Sequence, residues 1–198
     1  MTATVAVYVE TGINASPVAV DTTNIQDAPP NIRFKTADDP TIDTNNPIPI
    51  PASGTKRSFW KHIFLKAVSG TFLKIDTIKF FTNGPGFGTG ITVFIGLETP
   101  VRNSGSTAGY DQATGTVGDD GDEMVAGTPN HDFISDKDDA FVDFTPSTPK
   151  TVTISEQDSE INAIGETSNY IVAQMDVDST AGPGDLDNEI WTFQYDEI

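Results

Sequence analysis

Short runs of β-branched and aromatic residues recur along this chain, whereas helical periodicity is almost absent. The runs are bounded by Gly, Pro, Asn or Asp, which form turns and end strands. They lie near Thr4–Thr11, Ile32–Thr36, Phe59–Val68, Leu73–Thr82, Ile91–Leu97, Phe141–Phe144, Thr151–Ser155, Tyr170–Asp178 and Glu189–Asp196. Eight or nine such strands in 198 residues predict one all-β domain over residues 1–198, an antiparallel β-sandwich of jelly-roll type.

The two C-terminal runs alternate in polarity, which predicts strands with one buried face and one face in water. The apolar positions on one side are Ile171, Ala173, Met175 and Val177 in the first run, and Trp191, Phe193 and Tyr195 in the second. Further upstream, the four-residue connection 69–72 between the two strongest runs has hairpin length. It predicts a central meander that continues into Ile91–Leu97. Residues 157–165 are the only predicted short helix.

Composition excludes several classes of function. The chain has no Cys, so disulfides, thiol catalysis, zinc ribbons and iron–sulfur clusters are ruled out. A formal net charge of −18 argues against a nucleic-acid partner. Residues 1–5 carry no basic region, and no apolar run approaches the length of a membrane span. We therefore expect a protein made in the cytosol, with no nucleic-acid or membrane partner.

The negative charge is concentrated in one half of the chain. Residues 1–99 hold 8 acids and 8 bases, whereas residues 100–198 hold 21 acids and 3 bases. Within the second half, Gly105–Asp139 reads as a long acidic loop rich in Gly, Thr and Asp. Hard cations prefer converging carboxylates, and the first cluster of this loop is a candidate calcium site, formed by Asp119, Asp120, Asp122 and Glu123. A solvated acidic face is the alternative interpretation, and no other cofactor is expected.

A proline-rich segment, Asp27–Gly54, contains six of the 13 prolines and predicts an extended arm. It either lies on its own domain or crosses a neighbouring subunit, since its isoleucines need an apolar surface to cover. The basic residues that follow it are candidates for meeting the acidic half of an identical neighbour, although pairing within the chain would use them equally well. The predicted subunit-contact residues are Pro47, Ile48, Pro49, Ile50, Pro51, Lys56 and Arg57.

Catalysis receives little support from the residues. The chain has only two histidines, and no Gly-x-Ser-x-Gly nucleophile turn occurs. His62 lies within an aromatic strand, where a structural role is the better interpretation. His131 lies in the acidic loop as either a metal ligand or a residue without a special role. The glycine-rich segment 84–90 lacks the lysine and the following helix of a phosphate-binding loop. The chain is expected not to be an enzyme.

Four segments together resemble the small all-β virion proteins of tailed bacteriophages and archaeal tailed viruses. They are residues 58–66 (SFWKHIFLK), 75–84 (IDTIKFFTNG), 170–175 (YIVAQM) and 189–197 (EIWTFQYDE). The resemblance implies a capsid decoration or auxiliary head protein on the outer surface of the virion. It implies a homo-oligomer, with a trimer favoured, that binds the major capsid protein or other virion proteins. A tail or receptor-binding component of the virion would fit the same segments.

A function of a different class stays open beside the virion role. A calcium-dependent carbohydrate-binding β-sandwich would also be acidic, rich in strands and free of catalytic motifs. Its sugar platforms would be exposed aromatic rings, for which Tyr110 and Phe87 are the candidates.

Overall fold

The computed structural model describes residues 2–13, 16–19, 32–82, 86–96, 101–125, 131–139, 144–184, 186 and 189–198. Over these residues the protein is all-β with antiparallel sheets, which confirms this part of the predicted fold class. The described part contains no α-helix. Where a short helix was predicted, a single 3-10 turn occupies Gln157–Ser159, and Asp158 has a left-handed φ of 65° that a helix could not continue.

The described residues form twelve strands, arranged in two sheets and a small hairpin. In chain order they are β1 (Ala3–Thr11), β2 (Ser16–Ala19), β3 (Thr55–Arg57), β4 (Lys61–Gly70), β5 (Ile75–Thr82), β6 (Ile91–Gly96), β7 (Gly115–Thr116), β8 (Asp120–Gly121), β9 (Lys137–Asp139), β10 (Lys150–Thr151), β11 (Ile171–Asp178) and β12 (Trp191–Glu197). The large sheet has the order β2-β1-β4-β11-β6-β9, and β3 also pairs with β11. The small sheet has the order β10-β5-β12, and β7 pairs with β8.

The apolar core between the two sheets, called here the inner core, gives the described part a β-sandwich arrangement. Alternate residues of β4 and β11 point into it, because successive side chains of a strand face opposite sides. Its fully buried members from the two sheets include Ile63, Leu65, Ala67, Ile75, Ile78, Phe80, Val93, Ile95, Ile171 and Ala173. Trp191, Phe193 and Tyr195 of β12 pack against the same core, as their alternation predicted.

The opposite face of the large sheet is also buried, contrary to the prediction that it faces water. Val172 and Gln174 of β11 point to this side, and both are fully buried. They are covered by residues 101–125 and 131–138, referred to below as the cover. A second apolar cluster, the outer core, lies between the sheet and the cover and comprises Phe59, Trp60, Phe64, Ala113, Met124, Ile134, Tyr170 and Val172. Much of the expected solvated loop is therefore a layer packed on the sheet.

A β-bulge lies where β3 and β4 pair with β11, and it helps to build the outer core. Ala173 pairs with Lys61 and Asp176 pairs with Arg57, so three steps along β11 correspond to four along its partner. Ser58 anchors the irregularity, since its amide donates to the Met175 carbonyl at 2.8 Å. The bulge allows Phe59 and Trp60, two consecutive residues, to belong to the same outer cluster.

The predicted central meander is wrong, because β4 and β5 belong to different sheets. The end of β4 pairs with β1, with Gly70 opposite Ala3. The chain then crosses to the small sheet, where the amides of Leu73 and Lys74 donate to the Ile198 carbonyl at 2.6 and 3.2 Å. A short connection between two apolar runs can form either a hairpin within one sheet or a corner between two sheets. Here it forms a corner, because β5 pairs with β12.

Three of the weaker strand predictions have different outcomes. Residues 32–36 are described but form no strand, and the predicted strand at 151–155 contributes only its first residue to β10. Residues 141–143 of the predicted strand Phe141–Phe144 lie outside the described residues. Long alternating runs therefore located strands more reliably than short ones did.

The described part of the proline-rich segment, residues 32–54, lies on its own domain. The Phe59 amide donates to the Lys35 carbonyl at 3.0 Å, and the Thr36 amide donates to the Asn46 carbonyl at 2.9 Å. Ile48 packs against the inner core, whereas Ile50 keeps 40% of its surface exposed. Residues 27–31 lie outside the described part. The segment thus covers its own sandwich, which was one of the two interpretations of its sequence.

Candidate functional site: a polar layer beneath the cover

Buried polar side chains collect where the cover meets the outer face of the large sheet. They come from β1, β4, β11 with the residues that lead into it, and the cover. The buried members are Glu10, Lys61, His62, Arg102, His131, Thr167, Ser168, Asn169 and Gln174. Burying this many polar groups is unfavourable unless they bind one another, so their partners define what the layer does.

Arg102 fastens the first residues of the cover to the sheet. Its Nε donates to Oε2 of Glu10 at 3.3 Å, and its Nη1 donates to Oγ1 of Thr167 at 2.9 Å. Its backbone amide donates to Oδ1 of Asn169 at 2.8 Å. The guanidinium carbon lies 3.8 Å from the centre of the Phe64 ring, which adds a cation–π contact.

The Glu10 carboxylate joins β1 to the start of β11 as well as to the cover. The Tyr170 hydroxyl donates a hydrogen bond to the same Oε2 that Arg102 reaches. Burial and the nearby Glu10 charge raise the pKa of Tyr170, so the hydroxyl stays protonated and remains a donor. Oε1 of Glu10 is buried and has no hydrogen-bond partner among the described residues. The carboxylate is therefore held at one oxygen by two donors.

His62 and His131 contact each other beneath the cover, and His62 lies opposite Glu10 in the sheet. Their Nε2 atoms are 2.9 Å apart, and both side chains are buried. Nδ1 of His131 accepts a hydrogen bond from the Phe133 amide at 3.1 Å, so the proton of this ring is on Nε2. Nε2 of His131 must then donate to Nε2 of His62, which also lies 3.5 Å from the Asp111 amide. Both rings are neutral in this arrangement.

The electrostatics of the pair agree with its hydrogen bonds. Burial lowers the pKa of His131 to about 4. The pKa of His62 lies well below its ordinary value because of burial first, and then because of the neighbouring His131 and Lys61. The structural role predicted for His62 fits this position. His131, for which a metal-ligand role was one interpretation, bonds to His62 instead.

Three further side chains, Trp60, Tyr110 and Gln174, attach the middle of the cover. Nε1 of Trp60 donates to the Asp111 carbonyl at 2.9 Å, and the Tyr110 hydroxyl donates to the Gly12 carbonyl at 2.7 Å. Gln174 binds in both directions: its Oε1 accepts from the Met124 amide at 3.0 Å. Its Nε2 donates to the Asp122 carbonyl at 2.7 Å and to the Ser58 carbonyl at 2.8 Å.

Neither of the predicted sugar platforms is an open ring. Tyr110 is half-buried and packs against His62, with ring centres 4.6 Å apart and ring planes tilted by 43°. Phe87 is half-buried and packs against the inner core. Both rings therefore serve internal packing.

The first two acids of the predicted calcium cluster bind cations of β3. Nζ of Lys56 lies 2.9 Å from Oδ1 of Asp119 and 3.6 Å from Oδ2 of Asp120. Oδ1 of Asp120 also accepts a hydrogen bond from the backbone amide of Arg57 at 2.7 Å. Lys56 and Arg57, two predicted subunit-contact residues, are thus paired within the chain.

The other two acids of the cluster are also engaged. Oδ2 of Asp122 accepts from the Thr114 hydroxyl at 2.7 Å. Oε1 of Glu123 lies 2.9 Å from Nζ of Lys137 and 3.7 Å from Nη2 of Arg57. Over the ranges that the structure describes, no group of three or more His, Asp or Glu side chains is placed to hold a metal ion. The cluster ties the cover to β3, and calcium binding stays a prediction.

The sequence offered little signal for the polar layer. Glu10, Arg102, Tyr170 and His131 are single residues separated by long stretches of chain, and none belongs to a motif. What they share is tertiary position alone. No described helix is long and apolar enough to cross a membrane. No protein-family model, curated protein or solved structure matches this chain.

Proposed function

We propose that the chain is a non-enzymatic structural protein of a virus particle, a decoration or auxiliary head protein that binds the outer capsid lattice as a homotrimer. The resemblance of its strand segments to small virion proteins supports this role. The observation that carries the proposal is the use of the polar residues: Glu10, Arg102, His62 and His131 bind one another beneath the cover. Groups that could perform chemistry are committed to holding the fold together.

The proposed contact surface is the exposed side of residues 47–51. Three of its five residues are prolines, which restrict the backbone, so the segment loses little conformational entropy on binding. Ile48 faces the inner core while Ile50 is 40% exposed, which leaves Ile50 and Pro47 to meet a neighbour. The proposed contact surface does not include Lys56 and Arg57, since they bind acids of their own chain. The jelly-roll topology, the role of residues 27–54 as an assembly arm and the location on the virion surface belong to the same proposal.

A matched pair of substitutions tests the contact surface. Ile50→Asp places a charge in the proposed interface, while Ile42→Asp changes a residue of the same segment that is 38% exposed. Analytical ultracentrifugation should find a trimer for the wild type and for Ile42→Asp, and a monomer for Ile50→Asp. Equal assembly of the two variants would overturn the assignment of the contact to residues 47–51.

The virion role itself is tested on purified particles. Quantitative mass spectrometry of virus particles from the source should find hundreds of copies in fixed ratio to the major capsid protein. About a dozen copies would instead place the chain at the neck, tail or vertices, and so overturn the decoration role. Absence from the particles would overturn the virion role altogether.

A further inference from the structure

We propose that the His62–His131 contact is an acid-sensitive latch, which releases the cover from the large sheet while the inner core stays folded. Release would expose the aromatic residues of the outer core, including Trp60 and Phe64. The inference concerns the fold itself and does not depend on the proposed virion role.

The hydrogen bonds of the latch require both rings to be neutral. A proton on Nδ1 of His131 would face the Phe133 amide, which is a donor at 3.1 Å. A proton on Nε2 of His62 would face the Nε2–H of His131 at 2.9 Å and the Asp111 amide at 3.5 Å. Either protonation sets donor against donor in a buried site, and this costs the hydrogen bond as well as the burial of a charge.

The groups around the latch provide little compensation for a positive charge. Lys61 precedes His62 on β4 and repels it. Glu10 of β1 lies opposite His62 in the sheet, and Arg102 and Tyr170 both bind its Oε2. On the cover, burial raises the pKa of Asp111, whose Oδ2 accepts from the Asp132 amide at 2.8 Å. Among the described residues, aromatic rings also contact the pair, those of Trp60, Tyr110, Phe133 and Tyr170.

The direction of the pH effect follows from the two states of the histidines. An exposed histidine has its ordinary pKa of about 6.5, whereas burial lowers the pKa of His131 in the closed state to about 4. The open state therefore binds more protons across this range, and acid favours it. The ratio of closed to open molecules should fall by up to about tenfold per pH unit for each histidine between pH 6.5 and 4. Above pH 7 the histidines are neutral in both states, so the pair does not change this ratio.

Release is expected to be local because both histidines of the chain lie in the latch. The inner core between the sheets is built from apolar side chains such as Ile63, Ile78 and Phe80, which do not titrate. A fall from pH 7 to 5 therefore acts first on the attachment of the cover. Local opening with a lower free energy than global unfolding is common for such layers.

The two tryptophans allow the two cores to be followed separately. Trp60 lies in the outer core and Trp191 packs against the inner core. In the Trp191→Phe variant, Trp60 is the only tryptophan, and the substitution removes no hydrogen bond because Nε1 of Trp191 has no partner among the described residues. Trp60 emission should shift to the red and become quenchable by iodide between pH 6.5 and 4, reversibly. Far-UV circular dichroism and the emission of Trp191 in Trp60→Phe should stay constant over the same range.

The His131→Gln variant tests the assignment to the latch. Gln keeps an amide that can donate to His62 but cannot titrate. The midpoint of the Trp60 emission change should therefore lie at least one pH unit lower in this variant. An unchanged midpoint would overturn the proposal in favour of an ion-paired carboxylate such as Glu123, whose pKa is lowered by its hydrogen bond with Lys137. Simultaneous loss of the Trp60 signal and of circular dichroism would also overturn it, since that is global unfolding.

Hydrogen exchange of the wild-type protein keeps the proposal testable if His131→Gln does not fold. After correction for intrinsic rates, amides of residues 101–125 and 131–138 should lose protection between pH 7 and 5. Amides of β5 and β12 should keep theirs. Equal protection of the cover at both pH values would overturn the latch.

Discussion

Glu10 of β1 and Arg102 of the cover form a buried ion pair, with Nε of the arginine 3.3 Å from Oε2 of the carboxylate. The two residues are 92 positions apart, and the Tyr170 hydroxyl binds the same oxygen from the start of β11. Three separate parts of the chain therefore meet at one carboxylate. Because water cannot solvate this oxygen, loss of one partner leaves the other charge uncompensated.

Arg102→Met should destabilise the protein by about 3 to 5 kcal/mol, since it leaves the Glu10 charge buried without its cation. The double variant Glu10→Gln/Arg102→Met should be more stable than Arg102→Met alone, because the orphaned charge is removed. Urea unfolding measures both differences. As a control, Lys74→Met breaks partly exposed pairs with Asp76 and Glu160 and should cost less than about 1 kcal/mol. Similar costs for the two single variants would contradict a special role for the buried pair.

The inner core could be predicted from the sequence, whereas the outer core could not. Alternation along β11 and β12 states which side of each strand is apolar, and this side does face the inner core. It does not state what covers the other side. Val172 is a single apolar residue on the side of β11 read as wet, and its partners Met124 and Ile134 lie in a segment dominated by Gly, Thr and Asp. Composition made that segment look solvated although Met124 and Ile134 within it are fully buried.

The polar layer was hidden from the sequence for a related reason. His62 was recognised as structural from its aromatic neighbours, but its pairing with His131 depends on how the cover returns to the sheet. The acidic cluster was visible as a run of carboxylates, while its cations Lys56 and Arg57 lie about 60 residues earlier. Residue type thus indicated charge and burial, and only the topology determined the partners.

Gly121 lets the β7–β8 hairpin of the cover approach the sheet closely. A Cβ at this position would lie 2.3 Å from the Ser58 carbonyl oxygen and 2.7 Å from its carbon, both backbone atoms. Gly121→Ala should therefore cost about 1 to 3 kcal/mol, because the hairpin or the bulge must shift. Gly182→Ala is the matched control, as no atom lies within 4 Å of its added Cβ, and it should be neutral or slightly stabilising. Thermal unfolding measures the stability of both variants. Equal losses of stability would contradict the close packing of the hairpin.

Calcium should leave the stability unchanged, because the acids of the predicted cluster already bind partners within the chain. Asp119 and Asp120 would have to exchange the ammonium of Lys56 for the metal. We expect millimolar calcium to shift the melting temperature by less than about 1 °C, as a ligand that binds the folded state would raise it with concentration. Magnesium and a chelator serve as controls. A concentration-dependent rise with calcium alone, lost in Asp122→Asn, would restore the metal interpretation.

Because Lys61 is buried, the free energy of unfolding should change with pH in the alkaline range. Its Nζ donates to the Ala37 and Asp39 carbonyls at 3.2 and 3.1 Å. Burial lowers its pKa to about 8, although the Asp38 and Asp39 charges oppose the shift. In the unfolded chain the pKa is about 10.4. Between these values the unfolded state binds more protons than the folded state, so stability rises with pH.

We expect a gain of about 2 kcal/mol between pH 8 and 10, measured by urea unfolding at each pH. The rise should end near pH 10, since burial raises the pKa values of Tyr110 and Tyr170 and the unfolded chain then releases the tyrosine protons first. Lys61→Met should remove most of the rise, and the remainder comes from Lys150, whose pKa is also lowered by burial. Lys66→Met changes a half-buried lysine of the same strand and should keep the rise in stability. A wild-type stability that is flat or falling from pH 8 to 10 would show that Lys61 is not charged and buried as the fold requires.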